Sequence, residues 1–314
     1  EKVVSGLRDV LKVGNQAMVG IDIGLSSVKI AELKQSGDTY KLTGYATVDL
    51  PEGALIEDDI QKPEEIISAI NQCLGMLKTS AQNAAISLYG PNTVAKKLQL
   101  AGGSDDEIDD QVSWEAEQYL PFSVDDSTMD HYVFGENEGG GVDVFVAAAR
   151  NDIVEMFREL VEKTDARLKV KIVDLGVVSI SNVFVHVLQD QIEDPNQSFI
   201  FMDIGAQNTH FIIYRGNGIL FTKEVNIGGV IITEEIQRQM GVNYNEAEDL
   251  KIIGDENGNL PEEIVEIIED VLESFFAEIK KTVDFYITST SDDSLSGVIV
   301  TGGGALIPGL LEGL

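Results

Sequence analysis

The stretch AMVGIDIGLSSVKIAEL, residues 17–33, contains two apolar runs separated by a short polar turn. The first run ends at Asp22, the turn follows at residues 24–27, and the second run, residues 28–33, alternates apolar with polar side chains. Alternation with a period of two is typical of a β-strand that is buried on one face. The stretch therefore predicts a β-hairpin with a carboxylate at the end of its first strand.

The turn of this hairpin can present several backbone N–H groups to one point, because it combines Gly24 with Ser26 and Ser27. Such a concavity suits phosphate oxygens. Asp22 would repel phosphate, but it can hold Mg²⁺, directly or through water, and the metal would bridge to the phosphates. An ordinary tight turn, with Asp as a turn former, is the simpler explanation of the hairpin alone.

The composition of the chain argues against several classes of protein and of binding site. The net charge of −32 argues against nucleic-acid binding and against direct adhesion to an anionic membrane. No apolar run approaches the roughly 18–20 residues that span a bilayer, and no secretory signal is visible. The single cysteine, Cys73, excludes an internal disulfide, fits a reducing compartment and makes a His/Cys zinc site improbable.

The patterns that follow the hairpin predict a three-stranded meander and then a helix. The third strand is predicted at residues 40–50, and the helix begins near Pro63, which is followed by two acidic residues. Residues 90–170 contain further strands, helices and three consecutive glycines. We expect this middle stretch to form a small inserted α+β subdomain.

The opening pattern returns near residue 200, where Asp203-Ile204-Gly205 aligns without gaps onto Asp22-Ile23-Gly24. Both copies run strand, turn, strand, turn, strand, helix, which predicts two homologous lobes. If both turns face one cleft, they can clamp a polyphosphate from two sides with a metal between the two aspartates. Coincidental recurrence of a common hairpin is the alternative explanation.

Two features of the second half also fit a nucleotide site. Glu248 and Lys251 are three residues apart on one face of a predicted short helix, although a surface ion pair has the same spacing. A predicted apolar strand leads into Gly302-Gly303-Gly304, where the backbone can approach a flat ligand closely. A loose turn is the alternative role of these glycines.

Three motifs follow one another along the chain: GIDIG at residues 20–24, MDIG at residues 202–205 and TGGG at residues 301–304. They resemble the phosphate 1, phosphate 2 and adenosine motifs of the actin-like ATPase superfamily, in the same order. Within the superfamily, the chain most resembles the PilM family of type IV pilus assembly. The resemblance covers nearly the whole chain from about residue 18, and its carriers are VGIDIGLSSVK at 19–29, EAEQYLPF at 115–122, AEDLK at 247–251, DFY at 284–286 and VTGGGALIPGL at 300–310.

The resemblance implies an α/β actin-like ATPase fold with two duplicated lobes, an inserted subdomain and an ATP-binding cleft between the lobes. Asp22 and Asp203 would position Mg²⁺. The implied ATP-binding residues are Gly24, Ser26, Ser27, Lys29, Gly205, Asn208, Thr209, Glu248, Lys251, Gly302, Gly303 and Gly304. The implied domains are an N-terminal extension at residues 1–17, a first lobe at 18–89 and 171–195, the inserted subdomain at 90–170, and a C-terminally incomplete second lobe at 196–314.

The resemblance also implies a partner. The PilM family binds the N-terminal cytoplasmic peptide of the inner-membrane protein PilN, in a groove between the first and the inserted subdomain, and an extended peptide could add to a sheet edge there. The implied protein is cytoplasmic, peripheral to the inner membrane through PilN, in contact with other pilus inner-membrane and motor proteins, and able to form homo-oligomers.

Three features depart from the family pattern. Leu25 replaces a usual serine and removes one hydroxyl from the phosphate turn, residues 1–17 exceed the usual short start, and the chain ends at Leu314 where the family continues into a helix and strands. We therefore expect a first phosphate turn with one side-chain donor fewer than usual.

The sequence and the resemblance are compatible with several functions. A nucleotide-bound scaffold would use ATP to hold a conformation that docks PilN, whereas a hydrolysing ATPase needs a group that orients the attacking water. Asp174, at the end of a predicted strand, is the catalytic candidate, and an N-cap of the helix at Gly176 is its alternative role. We expect at most weak ATPase activity. An FtsA-like cell-division adaptor, which has an inserted subdomain in the same place, is a further alternative.

Overall fold

The computed structural model describes residues 17–314 except residues 38, 138, 189–193, 195, 217, 254–258 and 293. The predicted N-terminal extension therefore lies outside the described residues, apart from Ala17. No helix in this described part is long and apolar enough to cross a membrane. The chain forms two compact units: unit 1 contains the described residues within 1–93, 121–128 and 148–176, and unit 2 contains those within 94–120, 129–147 and 177–314.

The strands are β1 (Met18–Ile23), β2 (Ser27–Ser36), β3 (Thr39–Asp49), β4 (Leu55–Ile56), β5 (Asp59–Ile60), β6 (Asn83–Leu88), β7 (Thr93–Leu100), β8 (Ser127–Glu136), β9 (Val142–Arg150), β10 (Lys169–Leu175), β11 (Ser198–Ile204), β12 (Thr209–Arg215), β13 (Gly218–Val225) and β14 (Leu295–Thr301). The α-helices are α1 (Pro63–Leu77), α2 (Asp105–Tyr119), α3 (Asn151–Glu162), α4 (Gly176–Leu188), α5 (Gly229–Met240), α6 (Tyr244–Ile252), α7 (Glu262–Thr290) and α8 (Leu310–Gly313).

Unit 1 is built on a five-stranded sheet with the order β10-β6-β1-β2-β3. β1 and β2 form the predicted antiparallel hairpin, which places Asp22 opposite Lys29, and β6 runs parallel to β1 on its other side. Helix α1 packs against β2 and β3 and buries Ile66, Ile70 and Cys73, whose spacing puts them on one helix face. This packing fixes the meander and with it the turn that follows β1.

Unit 2 contains a four-stranded sheet with the order β13-β12-β11-β14. β11, β12 and β13 form an antiparallel meander, and β14 runs parallel to β11. Unit 1 has the same arrangement of a meander, one parallel neighbour and a following helix, so the predicted duplication is confirmed. The core of this half contains Ile200, Met202, Ile204, Phe211, Ile213, Ile232, Ile236, Ile264, Ile267, Ile268, Leu272, Phe275 and Tyr286.

A three-stranded sheet with the order β7-β9-β8 carries helix α2 on one face. Within unit 2, Phe145 of β9 packs in one cluster with Phe201 and Tyr214 of the four-stranded sheet. Thr222 of β13 also donates a hydrogen bond of 2.8 Å to the carbonyl oxygen of Ala95. These contacts join most of the three-stranded sheet to the four-stranded sheet, whereas the domain boundaries given above remain predictions.

Candidate functional site

The turn between β1 and β2 is closed by a backbone hydrogen bond of 3.0 Å from Gly24 N–H to the carbonyl oxygen of Ser27. A Cβ atom at Gly24 would lie 3.2 Å from that oxygen and 3.6 Å from the Lys29 ammonium. Ser27 is buried, whereas Ser26 is exposed. A side chain at position 24 would therefore be tightly placed against the turn.

Asp22 and Lys29 face each other across the strands that flank this turn. The Lys29 Nζ atom lies 3.2 Å from Asp22 Oδ2, and the two side chains are 40% and 38% exposed. Both charges are thus within reach of a ligand from solvent. An arriving phosphate would compete for the ammonium, and a cation would compete for the carboxylate.

The turn between β11 and β12 repeats the closure of the first turn. Gly205 N–H donates to the carbonyl oxygen of Asn208 at 2.9 Å, and a Cβ at Gly205 would lie 3.0 Å from that oxygen. The side chain of Asn208 donates to Glu224 Oε1 at 3.0 Å, and the buried Thr209 hydroxyl donates to the Ile227 carbonyl at 2.7 Å. Both side chains therefore make hydrogen bonds within the protein, and phosphate binding by this turn stays a prediction.

Two polar residues outside the sequence motifs, His210 and Glu224, continue in a row from Asp203 across the strands of this half of the site. Asp203 of β11 pairs in register with His210 of β12, which pairs with Glu224 of β13, and His210 Nδ1 lies 3.5 Å from Glu224 Oε2. Burial lowers the pKa of His210 to about 4, so the imidazole is neutral near pH 7. The gapless alignment of the two hairpin sequences could have identified His210, because it aligns His210 with Lys29.

The glycine motif after β14 lies directly beside the second turn. Thr301 pairs with Asp203, and a Cβ at Gly302 would lie 2.7 Å from Asp203 Oδ1 and closer still to the carbonyl oxygen of Ile204. Gly302 also has a φ of +84°, which favours glycine. A Cβ at Gly304 would overlap the Ile204 side chain. The backbone of the glycine motif therefore packs closely against β11 and does not form a loose turn.

Glu248 and Lys251 form an ion pair of 2.7 Å, and the Lys251 side chain is only 13% exposed. The buried hydroxyl of Thr233 lies 2.7 Å from Lys251 Nζ and 2.6 Å from Glu248 Oε2. Lys251 also donates to the Gly229 carbonyl oxygen at 3.2 Å. Hydrogen bonds therefore hold the pair against the start of α5, and Glu248 and Lys251 are more than a simple surface ion pair.

The start of α5 connects this pair to the second turn. The N–H groups of Gly229 and Val230 donate to the carbonyl oxygens of Gly205 and Ala206 at 3.1 and 2.7 Å. Unit 2 therefore holds one connected set of predicted site residues, and unit 1 holds the others. The set in unit 2 contains Asp203, Gly205, Asn208, Thr209, Glu248, Lys251, Gly302, Gly303 and Gly304, and the residues in unit 1 are Asp22, Gly24, Ser26, Ser27, Lys29 and Asp174.

Asp174 lies in unit 1 near the end of β10, where it pairs in register with Ser87 of β6. Its Oδ1 atom accepts a hydrogen bond of 2.8 Å from the N–H of Leu175. Helix α4 begins at Gly176, directly after Leu175. The catalytic role and the N-cap role of Asp174 both stay predictions.

The residues of the site fit Mg²⁺ only together with other ligands. No group of three or more His, Cys, Asp or Glu side chains among the described residues could hold a metal ion. Mg²⁺ in nucleotide sites is commonly held by one or two carboxylates, with phosphate oxygens and water as the remaining ligands. Asp22, which is 38% exposed beside the predicted phosphate turn, therefore fits a metal that would arrive with its nucleotide.

Comparison with known proteins places the chain in a family. The family model described as type IV pilus assembly protein PilM matches residues 20–314. A solved structure described as the PilM–PilN type IV pilus biogenesis complex contains a chain that is 26% identical, with a TM-score of 0.79, covering 94% of this chain and 84% of the other.

Two more distant structures agree with the fold. The ethanolamine utilization protein EutJ from Carboxydothermus hydrogenoformans is 15% identical, with a TM-score of 0.57 over 100% of this chain and 88% of its own. MreB 5 of Spiroplasma citri, solved with AMPPNP bound, is 14% identical, with a TM-score of 0.50 over 95% and 87%. The chain has the actin-like ATPase fold and belongs to the PilM family of type IV pilus assembly proteins.

Proposed function

We propose that this protein is an ATP-binding scaffold of the type IV pilus assembly complex and that it docks the N-terminal cytoplasmic peptide of PilN. The family match supports the place in pilus assembly, and the similar chain of the PilM–PilN complex supports the partner. The observation that carries ATP binding is the repeated turn, in which Gly24 and Gly205 make the same backbone closure directly after an Asp-Ile dipeptide.

In this proposal the two turns contribute backbone N–H groups to the phosphates, and Lys29 offsets phosphate charge. The Lys29 ammonium now pairs with Asp22, and ATP with Mg²⁺ would give each member of the pair a new partner of opposite charge. Because the side chains of Asn208 and Thr209 already make hydrogen bonds within the protein, they act mainly by shaping the second turn.

Mg²⁺ would be held by Asp22 and Asp203 together with phosphate oxygens and water. A bound Mg²⁺ supplies charge neutralisation at the phosphates. The close approach of Gly302 to the Asp203 carboxylate supports this role, because a larger residue at position 302 would disturb the carboxylate.

The scaffold role is favoured over a role as an efficient ATPase. Asp174 is the proposed group that would orient water, and its Oδ1 atom accepts a hydrogen bond from the N–H of Leu175. We propose ATP binding with at most weak hydrolysis. The family match favours pilus assembly over an FtsA-like division adaptor.

The proposal also covers location and assembly. The protein would lie in the cytoplasm at the inner membrane, held there by PilN, and would contact other inner-membrane and motor proteins of the pilus. Such contacts suit a protein with a net charge of −32, because charge steers encounters with basic surfaces of partners. Homo-oligomers remain part of the proposal.

Calorimetric titration with ATP and Mg²⁺, combined with a phosphate-release assay, tests the proposal. We expect the wild-type protein to bind ATP and to release phosphate near the background rate. Asp203→Ala should weaken binding, whereas Asp284→Ala, at an exposed position of α7, should not. Absence of ATP binding would overturn the proposed site, and rapid turnover that Asp174→Asn abolishes would instead establish an enzyme.

A further inference from the structure

The ion pair of Glu248 and Lys251 has a third member, the buried hydroxyl of Thr233. Thr233 is fully buried in α5, and its Oγ1 atom lies within hydrogen-bond distance of both charged groups. One hydroxyl hydrogen is available, and the carboxylate at 2.6 Å is a better acceptor than the Gly229 carbonyl at 3.3 Å. Thr233 therefore donates to Glu248 and accepts from Lys251.

The hydrogen-bond capacity of the Lys251 ammonium is fully used inside the protein. An ammonium group has three N–H donors and no acceptor. Lys251 has three acceptors within range: Glu248 Oε2 at 2.7 Å, Thr233 Oγ1 at 2.7 Å and the Gly229 carbonyl oxygen at 3.2 Å. A ligand could gain a hydrogen bond from Lys251 only by breaking one of these bonds.

Glu248, in contrast, keeps one oxygen for a ligand. Its Oε2 atom accepts from both Thr233 and Lys251, whereas Oε1 accepts no hydrogen bond within the described part of the chain. The Glu248 side chain is 31% exposed, more than twice the fraction of Lys251. The cluster therefore presents a hydrogen-bond acceptor, and it neutralises that carboxylate with a cation held behind it.

We propose that Thr233 and Lys251 are positioning residues that hold Glu248 in its ligand-binding orientation, and that Lys251 itself makes no hydrogen bond to the nucleotide. This inference rests on the proposed ATP-binding function. It departs from the expectation that Glu248 and Lys251 are both ATP-binding residues. It also adds Thr233, which no motif of the sequence singled out.

The chain offers a matched control for Thr233. Thr282 is also a fully buried threonine in a helix, and its hydroxyl also accepts a hydrogen bond from a lysine, Lys223, at 3.2 Å. It donates to the Glu278 carbonyl oxygen at 3.0 Å. Thr233→Val and Thr282→Val therefore each remove a buried helix hydroxyl that accepts from a lysine, but only the first touches Glu248.

The test is calorimetric titration of the full chain with ATP and Mg²⁺, with thermal unfolding of each variant measured in parallel. Because hydrogen bonds to charged groups are involved, we expect Thr233→Val to weaken ATP binding about tenfold. Thr233→Ser should restore affinity, and Thr282→Val should lower only the unfolding temperature. Unchanged affinity in Thr233→Val, or an equal loss in Thr282→Val, would overturn the inference.

A double-mutant cycle separates positioning from direct contact. If Lys251 acts only through Glu248, the losses of Thr233→Val and Lys251→Met should not add, because either change releases the same carboxylate. Additive losses would show that Lys251 binds the nucleotide itself and would contradict the inference. A wild-type protein that binds no ATP would overturn the proposed function, whereas ATP binding with an additive cycle overturns the positioning role alone.

Discussion

At the residue scale, the site depends on glycines whose replacement would bring atoms into collision. Gly302 combines a φ of +84° with a hypothetical Cβ 2.7 Å from Asp203 Oδ1, whereas Gly303 has no heavy atom within 4 Å of its hypothetical Cβ. Both are glycines of one motif, so the sequence does not distinguish their tasks. The structure assigns the close approach to Gly302 and leaves Gly303 open to a ligand or to solvent.

We predict that Gly302→Ala lowers the free energy of unfolding by about 1–3 kcal/mol, because alanine is strained at this backbone conformation and displaces Asp203. ATP affinity should fall with it. Gly303→Ala, the matched control for stability, should leave the free energy of unfolding nearly unchanged, because its Cβ would meet no heavy atom within 4 Å. Urea denaturation measures stability and calorimetric titration measures affinity, and equal losses of stability in the two variants would contradict the assignment.

A second residue-scale feature lies away from the site, at Asp292. Although burial raises its pKa, hydrogen bonds from Tyr286 and Ser294 and the charge of Arg215 lower it to about 2. A carboxyl group whose pKa is lower in the folded than in the unfolded protein stabilises the fold above its ordinary pKa near 3.8. That contribution is lost as the pH falls through about 2.

We predict that Asp292→Asn lowers the free energy of unfolding at pH 7 by about 1–2 kcal/mol, after allowance for partial solvent screening. The difference from wild type should stay constant above pH 5 and shrink between pH 4 and pH 2. Asp284→Asn removes the same charge from an exposed position and serves as control. A difference that grows as the pH falls would refute this account of Asp292.

At the scale of elements, the hydrophobic periodicity of the sequence was enough to predict most strands and helices. β2 alternates apolar with polar residues, β1 and β11 are apolar runs that reach an aspartate, and α1 has its apolar residues at helical spacing, so local pattern and tertiary structure agree. The short pair β4–β5 was not predicted, because two-residue strands carry no period.

Contacts between elements account for what the sequence did not show. The Thr233 cluster joins α5 to α6, and the His210 row crosses three strands. These contacts depend on strand register and on helix packing, and a local sequence pattern predicts neither. The motif residues were predictable because glycine and aspartate at turns carry a local signature, whereas Thr233 looks like any other helix residue.

At the scale of the whole molecule, the dominant physical property is the net charge of −32. Repulsion among like charges destabilises a compact chain, and salt screens it over about 8–10 Å at physiological ionic strength. We predict that a roughly tenfold increase in sodium chloride, from about 50 to about 500 mM, raises the unfolding temperature. Sucrose of equal osmolality controls for solvent effects, and an unfolding temperature that falls with added salt would contradict the prediction.

We propose that ATP and PilN bind to one scaffold and that each favours the binding of the other. Fluorescence anisotropy of a labelled N-terminal cytoplasmic peptide of PilN, titrated with the full chain, tests this claim directly. We predict saturable binding that ATP with Mg²⁺ strengthens at least about fivefold, the lower end of typical coupling between sites. Peptide binding that is absent, or that is identical with and without ATP, would contradict the account.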